Sequence, residues 1–493
     1  MKTTSGLCLL LTLSTLCLSC SPPEKGTLSS LGESPEETGL QWLERNEGYL
    51  ASLADILWAH PELAHHELQT SKLLLEALTE AGFHVQAGVA ELPTAFVASH
   101  GSSPPVIGIV VLMDALPGLS QEKLVGRRSP VTPGGPGHGC GHNLICAGGL
   151  GAALAIQHVL EAHGLSGAVR LFGAPAEEVY HGGVYMVREG VFDGLDALLF
   201  WHPSSVTTVI SRSGLAMDSV RYVFHGRPSD ATDAAPLGRN ALTAVENLVH
   251  AVQSMEDEWP KHAVVNHVVP SGGQIPSVVP ERAEAWYFIH ARHRQDVEAI
   301  TGKVAELARR AGEETSTRLE IQTLSRTRHW LINHGLAALL HENLSRDGEM
   351  AYTPEEEQMA QRLRAQFDRD DEEAFSSGVL PLDFTDEPVP ISDDTAEASW
   401  VVPRGGFLVA SFPSGVPSHT WQWTASATSS FAHKGMMRAA RTLVRTAVNL
   451  LTRPDELKTI RREFSEETRG VPYQSPLAPH QGPFDFLDGA ARK

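Results

Sequence analysis

The spacing of apolar residues changes along this chain in a way that predicts both helices and strands. From Leu40 to Leu57 apolar residues recur every three or four positions, and a second such segment runs from Glu67 to Ala81 and ends at Gly82. Both segments have the periodicity of amphipathic helices. The run VIGIVVLM at 106–113 is continuously apolar, which is typical of a strand buried on both faces.

The middle of the chain alternates between these two patterns. Strands are expected at AVRLFGAP (168–175) and ALLFWHP (197–203), and helical segments are expected at 147–162 and 181–189. Strands that alternate with helices predict an α/β fold with a mostly parallel sheet and helices on both faces. In such folds the functional side chains gather in loops at the carboxyl ends of the strands.

The alternation is interrupted after residue 216, where the order becomes strand, helix, strand, strand, helix, strand. This order predicts an inserted α+β sandwich domain, and a chain of 493 residues is long enough for two domains. Pro, Gly and Ser near the N-terminus predict a flexible tether. The expected organisation is an export signal at 1–20, the tether at 21–38, the main domain at 39–216 and 329–480, the insert at 217–328 and a tail at 481–493.

The first twenty residues resemble an export signal. Lys2 is followed by an apolar run that ends at Cys20, and this run is too short and too early for an ordinary spanning helix. Ser19 before Cys20 and the polar tract after it are typical of bacterial lipoprotein processing, although Cys17 stands where leucine is usual. We therefore expect lipidation at Cys20 and a place in the cell envelope, on the periplasmic side or at the outer membrane. Simple secretion and a retained anchor are the alternatives.

Charge and cysteine content narrow the classes of protein. With 39 Lys and Arg against 59 Asp and Glu, the net charge is −20, which argues against nucleic acid as a partner. Three of the five cysteines lie in the export signal, so only Cys140 and Cys146 remain beyond it. Two cysteines do not make a disulfide framework, and a bridge between these two would close a very small, glycine-rich loop.

Cys140 and His142 lie in the motif GHGCGHN (137–143), between a predicted strand and a predicted helix. A thiolate and an imidazole two positions apart in a compact loop suit zinc or a similar divalent ion. A buried structural thiol beside a surface histidine is the alternative without function. A nucleophilic Cys140 would need a base and an orienting group.

Four further candidates follow other predicted strands. Glu177 and Glu178 end AVRLFGAP in the sequence PAEE, and adjacent residues of an extended chain point in opposite directions, so one carboxylate can ligate a metal while the other faces substrate. His202 ends ALLFWHP, and His419 lies in GVPSHTWQW. Alone, the two glutamates are more often solvated loop residues, and each histidine is more often structural. Together with Cys140 and His142 they form a plausible ligand set for two ions with one carboxylate left free.

Several motifs occur in a familiar order. Besides those quoted, they are HPELAHHELQTSKLLLEALTEAGFHV (60–85), MDALPG (113–118), SGGQIPSVVP (271–280), EASWVVP (397–403), AHKGMM (432–437) and GVPYQSPLAP (470–479). The chain resembles the two-metal amidohydrolases of the aminoacylase and carboxypeptidase G superfamily, above all the branch of p-aminobenzoyl-glutamate hydrolases and aminoacyl-dipeptide hydrolases. The likeness runs from about residue 40 to this last motif.

The resemblance implies roles for the candidate residues. Two divalent ions, zinc or manganese, would be held by five side chains: Cys140, His142, Glu178, His202 and His419. Glu177 would be the general base for a water whose pKa a metal can lower from about 16 to about 7. Asp114 in MDALPG matches an aspartate beside the site that orients its groups. The insert would be a lid and dimerisation domain, through which the chain forms a homodimer or a heterodimer.

Three lid positions depart from the family pattern. Asp230 stands where the family has a histidine that reaches the partner subunit's site to stabilise the oxyanion. Ser277 replaces an asparagine and His290 an arginine that help to hold the substrate's carboxylate and carbonyl. Losing one oxyanion donor lowers the rate by about 10²–10³, which slows an enzyme without abolishing its activity.

The expected function is metal-dependent hydrolysis of an amide bond in a small N-acyl or N-aminoacyl amino acid, similar to p-aminobenzoyl-glutamate or a dipeptide. The departures leave three explanations open: a substrate without the usual terminal carboxylate, a heterodimer whose sister chain supplies the missing histidine, or a metal-containing envelope binding protein with little hydrolysis. Contact with a membrane is expected only through the lipid anchor.

Overall fold

A computed structural model of the chain describes residues 32–367 and 373–485. The expected export signal, Cys20 and most of the expected tether lie outside the described residues, as does the tail after residue 485.

The main sheet has seven strands among the described residues. They are β1 (His84–Ala87), β2 (Phe96–Gly101), β3 (Val106–Leu112), β4 (Ala168–Ala174), β5 (Ala197–Ser204), β6 (Thr208–Val209) and β11 (Arg404–Ala410), in the order β1-β2-β4-β3-β5-β11-β6. The four central strands β4, β3, β5 and β11 are parallel, and the outer strands pair antiparallel. Every residue of β3 is buried. The predicted α/β fold with a mostly parallel sheet is confirmed.

Ten helices accompany this sheet among the described residues. They are α1 (Pro35–Arg45), α2 (Glu47–Ala59), α3 (Leu68–Glu80), α4 (His142–His163), α5 (Gly182–Arg188), α8 (His334–Ser345), α9 (Pro354–Arg364), α10 (Trp421–Ser426), α11 (Ser430–Thr452) and α12 (Pro454–Glu467). Helix α4 packs on β3 and β4 and against α1, α2 and α11. It is long and apolar enough to span a membrane, but 94% of its most apolar window is buried inside the protein, so its place in the core accounts for its composition.

A second, antiparallel sheet forms a separate body, which we call the lid. Its strands are β7 (Ala216–His225), β8 (Val264–Ser271), β9 (Arg282–Ala291) and β10 (Arg318–Thr327), in the order β10-β7-β9-β8. Helices α6 (Ala241–Gln253) and α7 (Arg294–Thr315) pack on this sheet. The lid has its own apolar core, with Phe224, Leu248 and Val304 among its buried side chains.

Two element boundaries differ from the expectation. The tether was expected to extend to residue 38, but α1 begins at Pro35. The Ser34 hydroxyl accepts a hydrogen bond from the backbone N–H of Glu37, whose carboxylate accepts one from the backbone N–H of Ser34, and this capping box starts the helix early. The helix expected from residue 147 begins at His142, directly after Gly141.

Candidate metal centre

The glycines of GHGCGHN allow the loop to turn sharply into α4. Gly141 has φ +79°, and a Cβ there would lie 2.8 Å from Pro203 Cγ. A Cβ on Gly137 would lie 2.1 Å from the carbonyl oxygen of Leu119. Both positions therefore require glycine. The turn makes His142 the first residue of α4 and leaves Cys140 buried in front of it.

Cys140 lies beside His202, with 3.3 Å between Sγ and Nε2. Cys140 and Cys146 are both free thiols, so the disulfide alternative is wrong. His202 was expected at the end of its strand, and it lies two residues before the end of β5, where it pairs with Leu408 of β11. Because β5 is extended as far as Ser204 by its pairing with β11, the imidazole is held by the sheet itself.

Backbone carbonyls fix the ring orientation of two histidines. His202 Nδ1 lies 2.7 Å from the carbonyl oxygen of Pro203, and His142 Nδ1 lies 2.8 Å from that of Asp114. A carbonyl oxygen only accepts hydrogen bonds, so each Nδ1 carries a proton, and Nε2 of each ring presents a lone pair when the ring is neutral. Burial also lowers the pKa of His202 to about 4, which keeps it neutral as a metal ligand must be.

Glu177 and Glu178 lie in a tight turn, and the expectation of an extended chain is wrong. Residues 177–179 form one turn of 3₁₀ helix between Ala176 and Tyr180, whose φ values are +56° and +55°. Glu177 Oε2 lies 3.7 Å from His142 Nε2, and Glu178 Oε1 lies 3.9 Å from the same nitrogen. The turn thus brings both carboxylates to the same side, beside the histidine.

Asp114 positions this turn from the end of β3. Its carboxylate accepts hydrogen bonds from the backbone N–H groups of Glu177, at 3.1 Å, and Glu178, at 3.0 Å. Asp114 Oδ1 also lies 3.4 Å from His142 Nδ1. Asp114 is fully buried, and its contacts hold both carboxylates and the histidine in one arrangement.

His419 completes the cluster from the loop before α10. Its backbone N–H donates to the carbonyl oxygen of Gly139 at 3.0 Å, which ties this loop to GHGCGHN. His419 Nε2 lies 3.5 Å from Glu178 Oε2, and its side chain is 52% exposed. Its φ of +59° is strained for a residue with a side chain. The half-exposed imidazole leaves the cluster accessible from solvent on this side.

The arrangement suits divalent metal ions. Potential ligand atoms lie within 4.8 Å of one another in two groups that share Cys140, one with His142 and His202 and the other with Glu178 and His419. Thiolate, imidazole and carboxylate are the ligands that zinc takes in proteins. His142 Nε2 is buried and has no hydrogen-bond partner among the described residues. The residues therefore fit two ions.

The electrostatics of the cluster also favour bound metal ions. Burial raises the pKa of the Cys140 thiol well above its usual range, and Glu178 and Glu177 raise it further. Burial raises the pKa of Glu178 to about 7 although His142 opposes the shift, and burial followed by Glu178 raises the pKa of Glu177. Acidic groups this close favour their ionised forms only with a compensating cation. The same environment opposes a thiolate nucleophile that acts without a metal.

The three lid candidates do not form one group. The Asp230 carboxylate accepts hydrogen bonds from the backbone of Thr232 and Asp233, which lowers its pKa. Asp230 pairs with Val278, and the carbonyl oxygen of Ser277 accepts from the backbone N–H of Ala231. Neither Asp230 nor Ser277 makes a hydrogen bond or ion pair with the metal cluster within residues 32–367 and 373–485 of this single chain.

His290 lies apart from these two, in β9. It is buried, and its ring centroid is 6.1 Å from that of Tyr180, at the end of the turn that carries Glu177 and Glu178. Burial lowers the pKa of His290 to about 4, so it is neutral. His290 therefore packs where the lid meets the turn and carries no charge that could replace an arginine.

Two positioning groups escaped the sequence analysis. Glu67 is buried, and its carboxylate accepts hydrogen bonds from the backbone N–H of Ala176, at 2.9 Å, and from the Thr94 hydroxyl. Asp394 is buried beside Glu177 and accepts from the backbone N–H of Gly183 at 2.6 Å. Asp394 lies three residues before the motif EASWVVP, which is a signal that could have drawn attention to it. Glu67 lies inside the quoted motif at 60–85, so membership of that motif was a comparable signal for it.

Comparison with known proteins identifies the family. Residues 113–367 match peptidase family M20/M25/M40. The chain therefore belongs to this family, which confirms the resemblance drawn from its motifs and places it among the M20 metallo-hydrolases.

Individual relatives cover nearly the whole chain. It is 34% identical over 460 residues to one of the subunits of the p-aminobenzoyl-glutamate hydrolase of Escherichia coli K12, an alignment that covers 88% of this chain and 96% of that protein. It is 26% identical over 462 residues to the Xaa-Arg dipeptidase of Mus musculus, an alignment that covers 90% of this chain and 95% of that protein.

Solved structures share the fold. One is a Bacillus subtilis protein described as a dinuclear metal binding peptidase of the M20 family, with a TM-score of 0.53 at 18% identity. The superposition covers 83% of this chain and 99% of that protein. An aminobenzoyl-glutamate utilization protein from Klebsiella pneumoniae has a TM-score of 0.57 at 16% identity and covers 83% of this chain and 97% of its own.

Proposed function

We propose that the protein hydrolyses an amide bond in a small N-acyl or N-aminoacyl amino acid. The observation that carries this proposal is the convergence of a thiol, three imidazoles and a carboxylate around a second, buried carboxylate. In this assignment the five ligands of two divalent ions, zinc or manganese, are Cys140, His142, Glu178, His202 and His419. When bound, the ions polarise the amide carbonyl and acidify water.

Glu177 is the general base in this proposal. Its raised pKa brings it closer to the range in which a carboxylate both accepts and returns a proton near neutral pH. Glu177 Oε2 accepts the proton of the attacking water, and the same oxygen passes it to the leaving amine. Asp114 holds the Glu177 backbone, and burial together with the nearby Asp394 carboxylate raises the pKa of Glu177, which favours the protonated form that Glu177 takes after it has accepted the proton.

A cleft next to this cluster sets the size of the substrate. It has a volume of about 1340 Å³, and its walls come from both the main domain and the lid, with Glu178 on one side and Trp286 on another. This volume lies above the range of about 300–1,000 Å³ that is usual for small-molecule sites. A dipeptide or an N-acyl amino acid fits in it, and the name of the Escherichia coli relative supports p-aminobenzoyl-glutamate as a member of this class.

Assembly through the lid is part of the proposal. Strand β8 lies at the edge of the lid sheet and exposes Val264, Val268 and Val269 to solvent by 39%, 57% and 44%. An apolar edge strand is a ready surface for pairing with another chain. A homodimer or a heterodimer would cover it, and the relative named as one subunit of a hydrolase supports the second form. Attachment to the cell envelope through lipidated Cys20 remains a proposal from the sequence.

A metal-containing binding protein is the second candidate function. The observation that favours it is Asp230, whose pKa is lowered by hydrogen bonds from the backbone of Thr232 and Asp233. An ionised carboxylate cannot donate a hydrogen bond to an oxyanion. This candidate predicts a metal-loaded protein that binds such compounds without turnover.

Release of free amine from a panel of substrates tests the proposal. The panel contains p-aminobenzoyl-glutamate, N-acetyl amino acids, dipeptides and neutral C-terminal amides, with zinc- or manganese-loaded protein. We expect turnover that Glu177→Gln lowers at least 10³-fold while metal content stays unchanged, and that a chelator abolishes. A cysteine hydrolase would lose activity in Cys140→Ser but ignore the chelator. Absence of turnover in the metal-loaded wild type would contradict the proposal for this chain in the absence of a sister chain.

A further inference from the structure

The segment Gln481–Asp485, which we call the C-terminal segment, is tied to both domains. Gln481 Nε2 donates hydrogen bonds to the Tyr185 hydroxyl on α5, at 2.8 Å, and to the carbonyl oxygen of Thr323 on β10, at 2.7 Å. The Gln481 carbonyl oxygen accepts from Arg188 Nη1 at 2.5 Å. These three contacts fix the segment across the junction of the main domain and the lid.

The segment places Phe484 in the wall of the cleft. The ring centroids of Phe484 and His65 are 5.0 Å apart at an interplanar angle of 72°, and His181 lies 6.3 Å from Phe484. These are ordinary edge-to-face and tilted aromatic contacts. Burial lowers the pKa of His65 to about 4 and that of His181 well below its usual range. This part of the wall is therefore aromatic and uncharged.

The lid contributes further aromatic rings to the same cleft. Trp286 and Phe288 line it, with centroids 5.4 Å apart and rings nearly perpendicular. The Arg221 guanidinium lies over the Trp286 ring at 4.5 Å and also faces the cleft. The cleft extends from these rings to Glu178 of the metal cluster, so a substrate whose amide lies at the cluster can extend towards the rings.

We propose that Phe484 is a specificity-determining residue, held by the C-terminal segment as a wall of the substrate cleft so that a flat aromatic substituent is preferred over a small aliphatic one. A flat group gains edge and face contacts with Phe484 that a methyl group cannot make. This inference rests on the proposed function, because it concerns the substrate of the same site.

Two substrates that differ only in the acyl group test the inference: p-aminobenzoyl-glutamate and N-acetyl-glutamate. Phe484→Ala should lower kcat/KM for the first about tenfold, mainly through KM, and leave the second within twofold. Phe484→Leu, which keeps an apolar side chain without the ring, should have a kcat/KM for p-aminobenzoyl-glutamate between those of the wild type and Phe484→Ala. Val471→Ala, at a position 67% exposed and outside the cleft lining, is the control and should change neither. Equal losses for both substrates, or no loss for either, would overturn the inference.

A binding measurement separates this inference from the proposed function. Calorimetric titration of p-aminobenzoyl-glutamate into metal-loaded Glu177→Gln protein should give a Kd that Phe484→Ala weakens about tenfold. If the wild type shows no turnover but this difference is present, the proposed function fails and the inference stands. Turnover that Phe484→Ala leaves unchanged overturns the inference and leaves the proposed function standing. An absence of p-aminobenzoyl-glutamate binding to Glu177→Gln protein also overturns the inference.

Discussion

Replacing Asp114 with asparagine perturbs the residue on which three parts of the metal cluster depend. The carboxylate accepts hydrogen bonds from two backbone N–H groups, of Glu177 and Glu178. An asparagine has one oxygen, so one of these N–H groups would face an NH₂ group inside the protein. A hydrogen bond to a charged acceptor contributes about 1.5–3 kcal/mol, and we expect Asp114→Asn to lower the free energy of unfolding of the metal-loaded protein by about that amount.

The metal-free protein should be affected less. The charge of Asp114 raises the pKa of Glu67 and of Glu178, so its removal also relieves repulsion between buried carboxylates. The difference between the two losses is the loss in metal-binding free energy. Removal of such an orienting group typically weakens metal binding 10–100-fold, which corresponds to about 1.4–2.8 kcal/mol.

Urea unfolding with and without zinc measures the loss in free energy of unfolding. Zinc competition against a chelator measures the loss in metal-binding free energy. Asp257→Asn is the control, because Asp257 is exposed and lies in the lid, between α6 and β8. If Asp114→Asn bound zinc within twofold of the wild type and unfolded at the same urea concentration, the assigned role of Asp114 would be refuted.

Two further predictions concern the turn and the fold. Gly182→Ala would place a Cβ 1.9 Å from the carbonyl oxygen of Pro175 and so displace the turn. We expect this variant to have a lower metal affinity and a lower midpoint of thermal unfolding. An unchanged midpoint would contradict this packing. Burial alone would raise the pKa of Asp347, but Arg441 and Arg445 lower it overall. The contribution of Asp347 to the stability of the fold is therefore fully present above the unfolded-state pKa of about 3.9, and it is lost as pH falls through the lower folded-state pKa. Asp347→Asn should therefore be less stable than wild type in urea at pH 7, with a difference that shrinks below about pH 4; a difference independent of pH would show that the ion pairs are not its cause.

The main sheet was predictable because its signals are local. The unbroken apolar run of β3 has no other stable place than a doubly covered strand, and it is entirely buried. The candidate ligands were also found from residue type and motif order, and the structure brings all of them together. What local patterns misjudged was geometry: Ala176 and Tyr180 adopt left-handed conformations that no propensity predicts for these residue types.

Contacts between distant parts of the chain had no signal in the sequence. Gln481 bonds to Tyr185, 296 positions earlier, and the segment around it had been expected only as a tail. Glu67 supports Ala176 from 109 positions away. Such contacts depend on how elements that are distant in the chain pack against one another, which neither periodicity nor spacing encodes.

Cobalt titration of the metal-free protein tests the central claim, the metal centre, most directly. Thiolate ligation of Co²⁺ gives a near-ultraviolet charge-transfer band. The account predicts a band that saturates at no more than two equivalents per chain, disappears in Cys140→Ser and persists in Cys146→Ser, whose buried thiol donates to the carbonyl oxygen of Leu112 instead. A band of equal strength in Cys140→Ser, or no saturable cobalt binding by the wild type, would contradict it.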